Sequence, residues 1–215
     1  MFVDRIVVGP YQTNCYIMGN EETSSAWIID PGNEGARIIK AVESHNVKPV
    51  AVLLTHTHWD HITALGELKE RWPHLEVLVS EEDSHYLGSK AYERFTETCF
   101  DKSFLQRYEK ALKGMSEATG FLTDNQFLHD SHLLVMHTPG HTKGGICLYH
   151  EQGQFLFSGD TLFAGGIGRT DLEGGSYSEI VKSCKRLLKL PHEVQVLPGH
   201  GPATTIGEEQ DNPFL

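Results

Sequence analysis

Four potential metal ligands stand within the six-residue run His56-Thr57-His58-Trp59-Asp60-His61, the His-rich run. In an extended chain, residues two apart project to the same side, so His56 and His58 can direct their imidazoles towards one ion. Asp60 and His61 add a carboxylate and a third imidazole. Zinc, iron and manganese accept these ligand types. The run therefore predicts metal-dependent chemistry in which a water molecule is activated as a nucleophile.

Three later residues of metal-binding type each follow a predicted strand and stand beside glycine. They are His141 in Thr-Pro-Gly-His-Thr, Asp160 in Ser-Gly-Asp-Thr and His200 in Pro-Gly-His-Gly-Pro. The loops after strands commonly carry the functional side chains of a rigid scaffold. We expect these three residues and the His-rich run to form one set of metal ligands. Neutral imidazoles and carboxylates suit divalent ions, with zinc as the first choice and iron or manganese as alternatives.

Hydrophobic periodicity predicts the elements that position these residues. Strands are predicted at residues 2–8, 15–19, 26–30, 49–54, 75–80, 132–136, 146–150, 155–158 and 193–197. Asn33 and Ser176 are predicted to cap helices, and a further helix should leave the His-rich run. Strands followed by a helix, twice over, favour an α/β fold: a four-layer alpha-beta-beta-alpha sandwich of two sheets with helices outside. A doubly wound parallel sheet is the alternative.

Residues 1–215 are predicted to form a single domain with a helical insertion at about 82–120. That segment is polar and charged, with weak helical spacing among Phe95, Phe104 and Tyr108. It either packs over the sheet or closes as a lid over the active site.

Composition limits the partners and the compartment. Lys and Arg total 18 against 29 for Asp and Glu, a net charge of −11, which disfavours nucleic acid and anionic membranes. The four cysteines lie far apart without a Cys-x-x-Cys pair, which fits a reducing cytoplasm, with Cys15 and Cys147 as buried small residues. No stretch reaches the roughly 20 apolar residues that span a membrane.

The sequence resembles the metallo-beta-lactamase superfamily, and within it the short glyoxalase II-like hydrolases. Besides the His-rich run, the resemblance covers Asn14-Cys15-Tyr16, Asp30-Pro31-Gly32 and the final Asn212-Pro213-Phe214-Leu215. It implies a two-metal centre of seven ligands. By this resemblance the first ion is bound by His56, His58 and His141, the second by Asp60, His61 and His200, and Asp160 bridges both.

The resemblance also implies a thioesterase that cleaves S-lactoylglutathione or a related acyl thioester. A hydroxide between the ions would attack the acyl carbon, and Asp60 would steer the proton. Arg169 in Gly168-Arg169-Thr170-Asp171 matches the basic residue with which the family holds the glutathione carboxylate, although a structural salt bridge is the alternative role. Lys143 is a second candidate for an acidic substrate group, or else a solvated lysine.

Other functions share much of this pattern. A mononuclear-iron persulfide dioxygenase also carries the His-rich run and a Gly-Arg-Thr-Asp segment, and a lactonase or beta-lactam-type hydrolase would use the same centre. A metal-binding scaffold without activity is the non-enzyme alternative. Gly199-His200-Gly201-Pro202 favours a two-metal hydrolase. Asp171 and Pro202, however, stand where long glyoxalase II enzymes have tyrosines, so two glutathione contacts of that family are missing.

Overall fold

Each half of the chain builds its own six-stranded sheet. The computed structural model describes residues 1–99 and 101–215. By its internal contacts the chain divides into two compact units, Met1–Phe121 and Leu122–Leu215. The assignment of the whole chain to one domain stays a prediction.

The sheet of the first unit has its strands in chain order. They are β1 (Phe2–Val8), β2 (Thr13–Asn20), β3 (Ser25–Ile29), β4 (Lys48–Leu53), β5 (Glu76–Val79) and β6 (Gly120–Phe121). The pairs β1–β2 and β2–β3 are antiparallel, whereas β3 to β6 run parallel. Nearly all of β2 and β3 is buried, as expected for central strands covered on both faces.

Five helices belong to the first unit as described. They are α1 (Gly35–Ser44), α2 (Trp59–Ile62), α3 (Leu65–Arg71), α4 (Ala91–Thr98) and α5 (Lys102–Lys113). The prediction that Asn33 caps α1 is wrong: the N-cap is Glu34, which has φ 54° and makes no side-chain cap. The Asn33 side chain is used elsewhere, accepting from the Glu34 N–H at 2.7 Å and donating to Thr63 Oγ1 at 3.3 Å.

The segment predicted as a helical insertion contains α4 and α5, preceded by a 3-10 turn at Glu81–Tyr86. Asp101 caps α5 and accepts hydrogen bonds from the N–H groups of Ser103 and Phe104. Phe95 and Phe104 are buried in the core of this unit. The assignment of this segment as a lid or as a cover of the sheet stays a prediction.

The second unit contains a mixed sheet and one α-helix among its described elements. The strands are β7 (Phe127–Leu128), β8 (Leu133–His137), β9 (Ile146–His150), β10 (Phe155–Gly159), β13 (Gln195–Pro198) and β14 (Thr204–Thr205), in the order β14-β13-β10-β9-β8-β7. A small hairpin joins β11 (Leu162–Phe163) to β12 (Gly166–Ile167). Only β10 and β13 are parallel among these pairs, and α6 (Tyr177–Leu187) lies between them in the chain.

The predicted elements agree with these bounds in most places. All nine predicted strands are present within two residues, and Ser176 caps α6 through its hydroxyl, which accepts from Glu179 N–H. Ile180, Cys184 and Leu187 of α6 pack in one core cluster with Leu156 and Val196 of the sheet. The antiparallel pairs in both sheets exclude the doubly wound parallel alternative.

All four cysteines are buried, as predicted for Cys15 and Cys147, and burial raises the pKa of Cys15 well above its ordinary value. Within the described residues, none of the helices has the length and apolar character required to cross a membrane.

Candidate metal centre

The His-rich run occupies the connection from β4 to α2. His56 and His58 lie in the loop, whereas Asp60 and His61 belong to the short helix α2. The rings of His56 and His58 are perpendicular with centroids 4.9 Å apart, and those of His56 and His61 are 4.1 Å apart. The structure therefore brings together the three histidines that the sequence predicted as neighbours.

Asp30 orients this group from the end of the neighbouring strand β3. Its buried carboxylate accepts from Thr55 N–H at 2.8 Å and from the Thr55 hydroxyl at 2.6 Å. Oδ2 also lies 3.0 Å from His61 Nδ1. Because an ionised carboxylate only accepts, His61 Nδ1 carries the proton and Nε2 carries the lone pair. Asp30 thus selects the tautomer of His61 suited to bind a metal ion through Nε2.

A second chain of hydrogen bonds sets the tautomer of His56. The single hydroxyl proton of Thr55 is donated to Asp30, so Thr55 Oγ1 acts as an acceptor towards His56 Nδ1 at 3.1 Å. His56 therefore also carries its lone pair on Nε2. Asp30 lies close enough to His56 and His61 to resemble a ligand. Its two oxygens already serve these hydrogen bonds, so we assign it an orienting role.

Asp60 is held by its backbone and by its side chain. The backbone carbonyl oxygen of Asp60 packs directly against Gly32, where a Cβ would overlap it. Thr13 of β2 donates its hydroxyl to Asp60 Oδ2 at 3.2 Å, and His61 Nε2 lies 3.7 Å from the same oxygen. Asp60 and His61 therefore present adjacent oxygen and nitrogen donors.

In the second unit, Asp160 and His200 follow the two parallel strands. Gly159 at the end of β10 pairs with Pro198 at the end of β13, and Gly199 N–H donates to Gly159 at 2.8 Å. Because the carboxyl ends of parallel strands meet at one edge, the two residues emerge side by side. Asp160 Oδ2 lies 3.5 Å from His200 Nε2.

His141 reaches the same carboxylate from the loop after β8. Its Nδ1 lies 2.8 Å from the carbonyl oxygen of Arg169, and since a carbonyl only accepts, Nδ1 carries the proton. His141 Nε2 lies 3.6 Å from Asp160 Oδ2. Gly168 makes this arrangement feasible, because a Cβ there would overlap the backbone oxygen of Asp160.

The spacing of these donor atoms fits divalent metal ions. Two donors on one tetrahedral zinc ion, each about 2.1 Å from it, lie roughly 3.4 Å apart. The nitrogen–oxygen separations in the structure are close to this value: 3.7 Å for His61 and Asp60, 3.6 Å for His141 and Asp160, and 3.5 Å for His200 and Asp160. Each unit, taken by itself, thus carries imidazole nitrogen and carboxylate oxygen at coordination spacing.

The two predicted substrate-binding residues are exposed. Arg169 donates Nε and a terminal nitrogen to the two carboxylate oxygens of Asp171, each at 2.8 Å, and this hydrogen bond lowers the pKa of Asp171 to about 2. Its guanidinium therefore already holds a carboxylate. The side chain of Lys143 lies against Gly174. The backbone carbonyl oxygen of Lys143 lies 3.0 Å from His137 Nε2.

Sequence reasoning missed the residues that orient the donors: Asp30, Thr55, Thr13 and the carbonyl of Arg169. The sequence indicates Asp30 only through the family resemblance, although an aspartate at a strand end before Pro-Gly resembles the other candidates. The contribution of Arg169 comes from its backbone, and a backbone carbonyl leaves no mark in a sequence.

The comparison with known proteins gives the family. The family model described as the metallo-beta-lactamase superfamily matches residues 8–200. The probable metallo-hydrolase YqgX of Bacillus subtilis is 37% identical over 216 residues, 98% of this chain and 96% of that protein. The hydroxyacylglutathione hydrolase GloC of Haemophilus influenzae is 35% identical over 225 residues, 100% of this chain and 98% of that protein. The chain belongs to the metallo-beta-lactamase superfamily, as a metal-dependent hydrolase.

Solved structures of similar proteins support the same fold family. The BLEG-1 B3 metallo-beta-lactamase has a TM-score of 0.85 at 34% identity and covers 100% of this chain and 99% of its own. TTHA1623 in a di-iron-bound form has a TM-score of 0.79 at 34% identity, covering 99% and 100%. ETHE1 from Myxococcus xanthus has a TM-score of 0.76 at 29% identity, covering 99% and 83%. The predicted metallo-beta-lactamase fold, a mixed α/β fold with sheets flanked by helices, is confirmed.

Proposed function

We propose that this protein is a binuclear thioester hydrolase of the hydroxyacylglutathione hydrolase type, cleaving S-lactoylglutathione or a related acyl thioester. The observation that carries the proposal is the position of Asp160, whose Oδ2 lies 3.6 Å from His141 Nε2 and 3.5 Å from His200 Nε2. An oxygen at coordination spacing from two separate imidazoles suits a carboxylate that bridges two metal ions. The relative GloC, a hydroxyacylglutathione hydrolase, supports the choice of substrate.

In this proposal the donor sets of the two units serve one centre. His56, His58 and His141 bind the first ion, Asp60, His61 and His200 bind the second, and Asp160 is shared. Support comes from the family model, which spans both sets within residues 8–200. Zinc is our first choice, and the di-iron form of TTHA1623 supports iron as an alternative to it, with manganese as a third candidate.

When bound, two divalent ions make a water molecule nucleophilic near neutral pH and polarise the acyl carbonyl. The chain's own contribution is proton control. Thr13 donates to Asp60 Oδ2 and so orients the carboxylate, which would receive the proton of the attacking water. The oxygen of water becomes bonded to the acyl carbon, the carbon–sulfur bond breaks, and the proton passes from Asp60 to the thiolate, giving a carboxylic acid and a thiol.

Arg169, with Lys143, is proposed to bind the acidic end of the substrate. A bidentate guanidinium suits a carboxylate, and in this structure Asp171 occupies that position. A substrate carboxylate would replace Asp171. We expect Arg169→Ala to raise KM more than it lowers kcat, because uniform binding is lost. Arg71→Ala, which breaks the comparable exposed pair with Glu43, is the control, and equal effects of both variants would contradict the role.

Metal analysis of the purified protein, run beside two activity assays, tests the function. One assay follows thiol release from S-lactoylglutathione, and the other follows oxygen uptake with glutathione persulfide. Two ions per chain with thiol release and no oxygen uptake is the expected result. A chain that takes up oxygen with a single iron, or that leaves the thioester intact, would overturn the proposal.

The second candidate is a persulfide dioxygenase with one iron, and the likeness to ETHE1 gives it some support. The likeness to BLEG-1 similarly supports a beta-lactam-type hydrolase, with a lactonase on the same centre as a related choice. We favour the thioesterase because Asp60 and His61 offer donors for a second ion, which a mononuclear site does not need, and because GloC is 35% identical over 98% of its own length.

A small thioester remains the proposed partner, and the net charge of −11 disfavours nucleic acid. We also propose the cytoplasm as the compartment, on the strength of the scattered cysteines.

A further inference from the structure

Glu209 is a buried carboxylate in the 3-10 turn Glu208–Asp211, which follows β14. It is only 3% exposed. The hydrogen bonds described for its carboxylate all come from neutral donors: the Gly165 N–H, the Thr204 hydroxyl at 2.8 Å and the Asn212 amide at 2.7 Å. Burial of a charge is costly unless such bonds offset it, so a carboxylate in this position indicates a specific task.

The group that Glu209 holds is the tip of the hairpin formed by β11 and β12. The N–H of Gly165 lies 3.1 and 3.0 Å from the two carboxylate oxygens. Asn212, which donates to Glu209, also donates to the carbonyl oxygen of Gly166 at 3.2 Å. The hairpin has only two residue pairs, and so short a ribbon is not stable in water by itself. Glu209 and Asn212 therefore supply the support that the hairpin lacks.

The base of the hairpin encloses Asp160. Gly168, directly after β12, donates its N–H to the carbonyl oxygen of Thr161 at 3.2 Å, and it packs against the backbone oxygen of Asp160. The next residue, Arg169, carries the carbonyl oxygen that orients His141. The base lies about two residues of extended chain, roughly 7 Å, from the tip. A displacement of the tip is therefore passed on to the base.

Phe163 of β11 places the same hairpin beside the third donor, since its ring lies 6.5 Å from that of His200. All three proposed donors of the second unit thus border the hairpin. We propose that Glu209 is a positioning residue, which holds the tip of the hairpin so that its base keeps Asp160 and His141 in place. This inference rests on the proposed metal centre and adds to it a residue that is not a ligand.

Two variants of Glu209 separate its hydrogen bonds from its charge. Glu209→Ala removes every bond to the hairpin. In Glu209→Gln the amide oxygen can still accept from Gly165 and Asn212, while the amide nitrogen donates to the Thr204 hydroxyl oxygen. Glutamine should therefore restore what alanine loses.

Glu208→Ala is the matched control. Glu208 accepts from the Thr205 N–H at 3.1 Å, and the hydrogen bonds described for it do not reach the hairpin. Hydrogen exchange on the full chain gives a readout independent of activity. Glu209→Ala should speed exchange of the N–H groups of Gly165 at the tip and Gly168 at the base. Glu209→Gln should stay close to wild type, and Glu208→Ala should speed exchange at Thr205 while both glycines stay unchanged.

Zinc affinity tests the effect on the centre, measured by competition with a chromophoric chelator at a temperature where all variants are folded. We expect Glu209→Ala to bind zinc about tenfold more weakly than wild type, because groups that orient ligands contribute on this scale. Glu209→Gln and Glu208→Ala should keep the wild-type affinity. A role limited to fixing the end of the chain would lower stability and leave zinc affinity unchanged.

If Glu209→Ala does not fold, Asn212→Ala replaces it in both measurements, with the same direction expected, because it removes the bond to the carbonyl of Gly166. Faster exchange at Gly165 with unchanged exchange at Gly168, or an unchanged zinc affinity, overturns the inference. A wild-type protein that binds zinc without hydrolysing a thioester overturns the proposed function alone.

Discussion

Three of the proposed metal-binding histidines take their tautomer from groups that are not ligands themselves. Asp30 orients His61, Thr55 orients His56, and a backbone carbonyl orients His141. A ring fixed in this way presents Nε2 to an ion without rearrangement, which raises metal affinity. The orienting groups should therefore matter almost as much as the ligands.

Replacing Asp30 with asparagine tests the orienting role. One amide oxygen cannot accept from Thr55 N–H, the Thr55 hydroxyl and His61 Nδ1 together, so at least one donor loses its acceptor. We expect Asp30→Asn to weaken metal binding by roughly 10- to 100-fold, measured by competition with a chromophoric chelator. Asp4→Asn, which alters the exposed pair with His45, should leave affinity unchanged. Equal affinities for both variants would contradict the role of Asp30.

His58→Ala should remove activity and lower the metal content while the protein stays folded. His58 is only partly buried in a loop, so its removal leaves the core intact. Metal analysis and circular dichroism measure the two effects. His74→Ala, at an exposed position, is the control and should behave as wild type. A fully metal-loaded, active His58→Ala protein would remove this residue from the centre.

At the scale of elements, each set of donors depends on a glycine packed against an aspartate. Gly32 touches the backbone oxygen of Asp60, and Gly168 touches that of Asp160.

The sequence predicted the strands and the positions of the donors after them, because hydrophobic runs and glycine turns are local signals. The two-residue strands β6, β7, β11, β12 and β14 were missed, because they are too short to show a period.

Gly168→Ala should displace Asp160, since its new Cβ would overlap a backbone oxygen that cannot rotate away. We expect a loss of about 1–3 kcal/mol in the free energy of unfolding, measured with guanidinium chloride, together with weaker metal binding. Gly166→Ala is the control, because a Cβ there meets its nearest neighbour, Phe163, only at 3.9 Å. If both variants unfold alike, close packing at Gly168 is not the reason for glycine there.

At the scale of the whole molecule, the His-rich run and the three later residues were predicted as one set from their types and settings. Within each unit the structure places its members together, and their joint centre remains a proposal. The orienting roles of Asp30 and Thr13 could not be predicted, because these roles depend on strands β2, β3 and β4 lying side by side. The hydrogen bond from Gly165 to Glu209 likewise joins residues 44 positions apart.

Metal removal should lower the stability of the folded chain. An ion present at about 1,000 times its Kd stabilises by roughly 4 kcal/mol, which for a chain of this size corresponds to a shift in Tm of about 10 °C. Thermal unfolding with and without a chelator measures the shift. The same chelator should have a much smaller effect on His58→Ala, and an equal shift in both proteins would mean that the chelator acts elsewhere.

Two hairpin turns lie at the starts of β3 and β10, whereas the functional aspartates Asp30 and Asp160 follow the other ends of these strands. Residues 21–24 precede β3, which ends before Asp30, and residues 151–154 precede β10, which ends before Asp160. Both turns are exposed, and a five-residue strand separates each from the functional end by roughly 16 Å. A fluorophore or an affinity peptide inserted at either turn would allow the protein to be immobilised or followed in solution with its chemistry undisturbed.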